Sequence, residues 1–528
     1  MSGSKVDSRP AEVTPTPNRS LYLLGGVLAT ALTPAAAIAF RPTAELMDFP
    51  ISEDAYYSLA VARNLALGHG LTIDGVHWTN GFQPLFTFLC SVFYLIMPHD
   101  DRITPLRMLT LVHWGAFVAS AVLFGSILSR ALPVRAEVKR FVWLVGTICF
   151  SLSNFLLVQA FNGLETGFLF LMVLLTLDRV LRMTGSRTDY AGIGILLGLC
   201  FLTRIDACFL VSGFCLANLG FGAGTLPRRF VGSVIAGALA VFVSLPWLLY
   251  NQLVFGSLMP LSGQAYSSLR ISGGRLLFSA AQSSNALVPY LRYPEWISRH
   301  GEAFIVLAIT SLLFLMLLVV AAMLLNSERK KGDPARGEFT PNSLLLAATV
   351  VLYCLFLTLY YGFVSTAIHF YARYLTPYAC LGVATVSIVL GITASRSRRA
   401  TYGVAAVLVL QAALLHVVHS YMGKSGYYHE GVALVRQHVP QGVAVASKQS
   451  GTLGYFSDDV VNLDGKVNAD VTSYPGFPET LPQYLADHGI DWHVDWDVGP
   501  LTMQLAQDPR WEKVDQIGST VLQRRKRD

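Results

Sequence analysis

Apolar residues gather along the chain into long runs separated by short polar stretches, most runs being about 18 to 24 residues. That length lets a helix cross the ~30 Å hydrocarbon core of a bilayer, whereas core helices of soluble proteins are shorter and striped. The pattern predicts about eleven membrane-spanning helices, at 21–40, 106–129, 141–161, 166–181, 190–203, 206–221, 230–254, 303–326, 342–362, 374–394 and 402–420. A further apolar stretch, 84–97, is short and opens on Pro84. Basic residues decide how to treat it, because they collect on the cytoplasmic side. Lys5, Arg9 and Arg19 place the amino terminus inside. If 84–97 lies flat in the outer interface, every later basic cluster also falls inside: Arg130 to Arg140, Arg182 with Arg187, Arg228 with Arg229, Arg329 to Arg336, and Arg396 to Arg399.

This threading divides the chain into a polar, disordered cytoplasmic tail (1–20), a transmembrane domain (21–420) with a first outer loop at 41–105, and an extracytoplasmic domain at 421–528. The last piece alternates polar helical stretches with short β-rich runs, Val443 to Ala446, Val460 to Leu463 and Trp492 to Trp496, which predicts a small α/β fold. Its expected role is a lid or an acceptor platform, without catalysis.

Composition agrees with a membrane protein. Of 528 residues, 53% are hydrophobic and 14% charged, and the mean hydropathy is +0.49. Soluble domains carry about 25% charged residues. The net charge of +6 sits in loop clusters rather than on a basic face interleaved with aromatics, which argues against a nucleic-acid partner. All seven cysteines lie in apolar segments without a CxxC pair, so neither a disulfide framework nor a zinc site is expected. The absence of an internal repeat weighs against the repeat-built transporters.

The chemistry-bearing residues concentrate in the first outer loop. Ser52-Glu53-Asp54-Ala55-Tyr56-Tyr57 leads into Ala62-Arg63-Asn64-Leu65-Ala66-Leu67-Gly68-His69-Gly70. Ser52 is a good N-cap, and Glu53 and Asp54 fall in the first turn of a short amphipathic helix ended by the glycines. Two acids there could simply complement the helix dipole, worth about 0.3–1 kcal/mol each. They could also serve glycosyl transfer, in which one carboxylate takes the acceptor hydroxyl's proton while cations stabilise a departing phosphate.

These stretches, with Asp74-Gly75 and Thr79-Asn80-Gly81-Phe82-Gln83-Pro84-Leu85, resemble the first outer loop of the GT-C-fold glycosyltransferases that use polyprenyl-phosphate sugars. The likeness is to the arabinofuranosyltransferase-like and dolichyl-phosphate-mannose branches. Further matches follow in order: Asn162-Gly163-Leu164-Glu165-Thr166, Leu202-Thr203-Arg204-Ile205-Asp206, Arg373-Tyr374-Leu375-Thr376-Pro377, Gly454-Tyr455-Phe456-Ser457 and Val461-Asn462-Leu463-Asp464-Gly465. The family's acidic motif is usually Asp-Asp or Asp-Glu, and here Glu53 takes the first position. The resemblance implies a membrane all-α fold with juxtamembrane helices in the first outer loop, at the inner or plasma membrane. It also implies a polyprenyl-phosphate-linked sugar donor, membrane lipids around the chain, and a glycan, lipid or protein acceptor on the far side. Asp54 is the expected general base with Glu53 beside it, and the product is inverted.

Arg204 and Arg373 are expected donor-phosphate clamps, since charge at membrane depth is costly and arginine's fork suits phosphate. Arg204 could instead pair with Asp206. Glu165 either caps its helix or completes an acidic wall. Asn80, Gln83, His77 and Tyr57 are candidate hydrogen-bonding groups toward sugar or phosphate, and His369 and Tyr371 lie close to Arg373. No obligatory metal is expected, although Mg²⁺, Mn²⁺ or Ca²⁺ would fit between the Glu53–Asp54 carboxylates and a phosphate. Two other classes remain open on sequence: a transporter or flippase of lipid-linked sugars, and an inactive relative that binds polyprenyl phosphate.

Overall fold

The computed structural model describes residues 22–29, 38–48, 50–264, 273–290, 303–331, 338–364, 371–421 and 427–526. Among the described residues, six helices are long and apolar enough to cross a membrane: Thr104–Ala131, Leu226–Phe255, Phe304–Lys330, Pro341–Phe363, Thr376–Arg396 and Arg398–Val417. Their outward faces are apolar, with Phe304, Leu312, Leu315 and Met323 all exposed, as suits lipid contact. The chain is a multi-pass membrane protein.

The expected continuous span at 141–161 is instead two helices, Ala136–Ser151 and Asn154–Phe161, bent by 60°. Ser153 caps the second of them, its hydroxyl accepting from the Leu156 amide at 3.3 Å, which stops the first helix and restarts the chain in a new direction. Three other expected spans are helices of 17, 17 and 14 residues, Thr166–Arg182, Arg187–Thr203 and Cys208–Phe221. Pro84–Ile96 is a 13-residue helix that buries Phe86, Cys90 and Tyr94 and exposes Phe88, Val92, Leu95 and Ile96. At about 20 Å it is too short to cross hydrocarbon, and it has one face for the protein and one for lipid.

The carboxy-terminal residues form a five-stranded mixed sheet flanked by helices. Its strands are β1 (Val445–Ser447), β2 (Val460–Asn462), β3 (Trp492–Trp496), β4 (Trp511–Ile517) and β5 (Thr520–Arg525), in the order β2-β1-β3-β5-β4. β1 runs parallel to β2 and β3, and β5 runs antiparallel to β3 and β4. The three expected strands are present. The β4–β5 hairpin was not expected, because Glu512, Lys513, Asp515, Arg524 and Arg525 interrupt its strands and leave little apolar alternation to read.

This domain sits on the first loop of the helical part. The helix Ser450–Phe456 packs against Glu53–Ala66, with the Tyr56 and Tyr455 rings 5.4 Å apart. Tyr94 and Tyr455 share a hydrogen bond at 2.8 Å, and Arg102 pairs with Asp458 at 2.7 Å. Most of these groups are buried.

Candidate functional site

Adjacent positions on a helix point about 100° apart, so neighbouring acids at its start must face different surroundings. Glu53 and Asp54 begin the helix Glu53–Ala66 and diverge in this way. Glu53 turns toward the carboxy-terminal domain. Its carboxylate accepts from the Gly451 amide at 2.6 Å, the Thr452 amide at 3.1 Å and the Thr452 hydroxyl. Burial pushes this carboxyl up to about 7, against the opposing pull of the bonds from Thr452 and Gly451.

Asp54 faces the other way, into a cavity of about 420 Å³. One carboxylate oxygen lies 3.2 Å from Nη1 of Arg373 and the other 3.3 Å from Nζ of Lys466. Burial alone would raise the Asp54 carboxyl, but Lys466 and Arg373 outweigh it and hold the group below the ordinary aspartate value.

The acidic helix is held in place by the Asn162–Thr166 stretch. Ser52 occupies the N-cap position with an extended backbone but makes no side-chain cap. Its amide and its hydroxyl both donate to the Asn162 carbonyl, at 2.9 and 3.1 Å. Gly163 follows at φ +76°, and a Cβ there would come within 2.9 Å of Ala55 and Ile51, so only glycine lets the turn press this close. Gly81 plays the same part toward the other domain, since a Cβ on it would lie 2.2 Å from the Lys466 carbonyl. The Gly163 turn and the Gly81 turn of the first loop therefore fix the acid and the lysine relative to each other.

Arg204 and Asp206 form a bidentate pair at 2.8 and 2.6 Å, both residues almost fully buried. The Tyr361 hydroxyl donates to the same aspartate at 3.1 Å. Nη1 of Arg204 donates to the Arg373 carbonyl at 3.1 Å. Both guanidinium groups stand 5.0 Å from the centre of the Tyr374 ring. Arg204 is thus committed to Asp206 and to the backbone that presents Arg373.

Among the candidates read from sequence, Asp54, Tyr57, Gln83, Glu165, Arg204, Asp206 and Arg373 line the cavity, and Glu53, Asn80 and His77 do not. Asn80 is buried, donating to Asn251 at 3.2 Å and accepting from the Leu261 amide at 3.0 Å, which ties the first loop to the chain after Leu226–Phe255. His77 pairs with Asp74 at 2.7 Å. Tyr57 donates to Asp464 at 3.4 Å, and Lys466 sits over its ring at 5.9 Å. Glu165 holds the N-cap position of Thr166–Arg182 without a side-chain cap bond. His369 lies outside the described residues, as does the side chain of Tyr371. No group of three or more His, Cys, Asp or Glu side chains suited to a metal occurs among the described residues.

Lys466 is the site residue that sequence reasoning missed. The motif Val461 to Gly465 stops one position short of it, and the lysine enters through the domain expected to carry no chemistry. If Glu53 holds the two units together, Glu53→Ala leaves two amides and a hydroxyl without their acceptor, at a cost of about 1–3 kcal/mol each. The expected result is faster hydrogen exchange across Ser450–Phe456 with the transmembrane helices unchanged, read by exchange mass spectrometry. Unchanged protection there would show that Glu53 is not the strut.

Residues 421–527 match the model of a domain of unknown function, DUF8728. No curated protein matches the sequence. Among solved structures, the fold is similar to that of the oligosaccharyltransferase AglB from the archaeon Archaeoglobus fulgidus. In its complex with an inhibitory peptide and a dolichol-phosphate, identity is 12% and the TM-score 0.49, over 92% of this chain and 70% of that one. For the complex with Zn and sulfate the values are 11%, 0.46, 89% and 68%. For the apo form they are 12%, 0.47, 90% and 70%. At this distance the chemistry has to be read from this chain's own residues.

Proposed function

We propose that the chain is a glycosyltransferase that moves a sugar from a polyprenyl-phosphate carrier to an acceptor outside the cytoplasm, with inversion. One observation carries the reading: a carboxylate flanked by two cations stands at the polar end of a cavity whose remaining wall is largely apolar. Phe201, Ile205, Phe209, Leu248, Leu258 and Met259 supply that wall. A phosphate on a prenyl tail matches both parts, the head toward Arg373 and Lys466 and the first prenyl units along the apolar side.

In this reaction Asp54 accepts the proton of the acceptor hydroxyl. The freed oxygen attacks the anomeric carbon from the face opposite the carrier, the carbon–oxygen bond to the phosphate breaks, and its electron pair stays on the phosphate. Arg373 and Lys466 stabilise the charge that builds there. Arg204 acts as a positioning residue through the Arg373 carbonyl. Domain 421–528 contributes Lys466, so it belongs to the site as well as covering it.

The test needs no knowledge of the acceptor. Full-length protein in nanodiscs is given short-chain polyprenyl phosphates carrying a labelled pentose, hexose or amino sugar, and release of polyprenyl phosphate is followed with water or envelope glycans as acceptor. Turnover of at least one donor, lost in Asp54→Asn, is expected. Binding of the donors without turnover against any acceptor would favour an inactive binding protein. Movement of intact donor between leaflets would favour a flippase.

A further inference from the structure

We infer that an anionic headgroup enters this cavity together with a proton, which Glu165 carries. The inference rests on the donor class proposed above and concerns how the same site binds it. Glu165 is 4% exposed and lines the cavity. Among the described residues its carboxyl takes part in no salt bridge and accepts no hydrogen bond from another side chain. A buried carboxylate in that condition is costly, and two routes relieve it: protonation, or a ligand that supplies a donor.

The surrounding charges select the first route. From the turn before Cys208–Phe221 come Arg204 and Asp206, which satisfy each other. From the stretch before Thr376–Arg396 comes Arg373, shared with Asp54 on Glu53–Ala66. From the carboxy-terminal domain comes Lys466, shared between Asp54 and Asp464, both at 3.3 Å. From Thr104–Ala131 comes His113, whose Nε2 is 3.0 Å from the Leu164 carbonyl. Among the described residues that line the cavity, three permanent cations thus face three carboxyl groups, with Asp464 also on Lys466, so these residues leave no surplus positive charge for an incoming anion. A phosphodiester brings one more negative charge into a largely apolar enclosure, where uncompensated charge is unfavourable. Asp54 is held ionised by its two cations, and Asp206 is paired with Arg204. Glu165 alone among the cavity carboxyls lacks a close cation, and burial already pushes its carboxyl up, with Arg204 and Arg373 pulling the other way from a distance. Its place at a helix start favours the anion only weakly. Once protonated, it becomes a hydrogen-bond donor aimed at the phosphate or the sugar.

The probe is a short-chain prenyl methyl phosphodiester, which carries one charge and does not titrate near neutral pH. Dimethyl phosphate, with the same charge and no tail, serves as the comparison that separates a lipid headgroup from a free phosphate ester. Binding to the full-length protein in detergent is measured calorimetrically, with EDTA, in two buffers of different ionisation enthalpy. The expected result is a buffer-dependent heat corresponding to uptake approaching one proton, and an affinity that falls by up to about tenfold per pH unit once Glu165 ionises in the free protein. Glu165→Gln should bind the probe without proton uptake and without that pH dependence. Binding with no buffer-dependent heat in the wild type overturns the inference and leaves the donor class standing. Equal uptake in Glu165→Gln assigns the proton elsewhere and also overturns it. Binding that appears only on adding a divalent cation shows that metal, rather than a proton, supplies the charge. Absence of binding by the prenyl probe removes the donor class and the inference together.

Discussion

Asp54→Asn is expected to lower kcat by about 10²–10⁴-fold while binding the lipid-phosphate donor at least as tightly as the wild type. The two effects have separate physical causes. Asparagine cannot take the acceptor's proton, and that is the loss in rate. It also removes one anion that now holds Arg373 and Lys466, so each cation has one partner fewer to give up when it meets the phosphate. A purely structural role for Asp54 would weaken binding and rate together, because two buried cations would be left to disorder the cavity. The discriminating measurement is donor affinity beside single-turnover rate in the same preparation. Reduced affinity with an unchanged bound-state rate would remove Asp54 as the base.

The same exchange predicts the form of the pH profile. In the free protein the Asp54 carboxyl sits below the ordinary aspartate value, so its contribution to stability is present above the unfolded aspartate pKa of about 3.9 and is lost only as pH falls through the lower folded value. On the proposed mechanism, bound phosphate would draw Arg373 and Lys466 away from it, and Asp54 would become a stronger base as its cations turn to the leaving group. The acid limb of kcat should therefore lie at higher pH than any limb that Asp54 sets on kcat/KM.

Which parts of this were legible in sequence follows from how each signal is written. Long apolar runs report directly on transfer from water to lipid, so the great majority of the helices could be read from them. The bend at Ser153 was not, since a capping hydroxyl within an apolar run leaves the run's average almost unchanged. The acidic pair at 53–54 stood out in sequence because two carboxyls beside each other near a membrane need a reason. Its division of labour was not, because that depends on what each face of the helix meets. Glu53 meets Gly451 and Thr452, nearly four hundred residues away in sequence, and nothing local announces them. Lys466 escaped for a related reason: one lysine after Asp464-Gly465 looks like any solvated turn until Gly81 brings its backbone against the first loop. Arg204 was left between phosphate and Asp206 on sequence, and the pairing distance answers for Asp206.

Asp206→Ala carries the second large expected effect, about 3–5 kcal/mol of stability, because it strands the Arg204 guanidinium where both residues are almost fully buried. Loss of transfer should accompany it, since Arg204 then has no reason to hold the Arg373 carbonyl. The two losses can be separated. Replacing both partners with apolar residues of similar size, Arg204→Met with Asp206→Leu, removes the stranded charge, and such replacements of buried pairs are often neutral or stabilising. The double variant should therefore recover most of the thermal stability in detergent yet stay deficient in transfer, with the deficit in donor affinity and rate rather than in the amount of folded protein. If the double variant regained activity along with stability, the pair would be only a packing element, and Arg373 would be held in place without Arg204. If it regained neither, the pair would be needed to fold the turn between Arg187–Thr203 and Cys208–Phe221. A stable but inactive double variant is the outcome that the 3.1 Å contact from Arg204 to the Arg373 carbonyl requires, since no other group contributed by this turn reaches that carbonyl among the described residues.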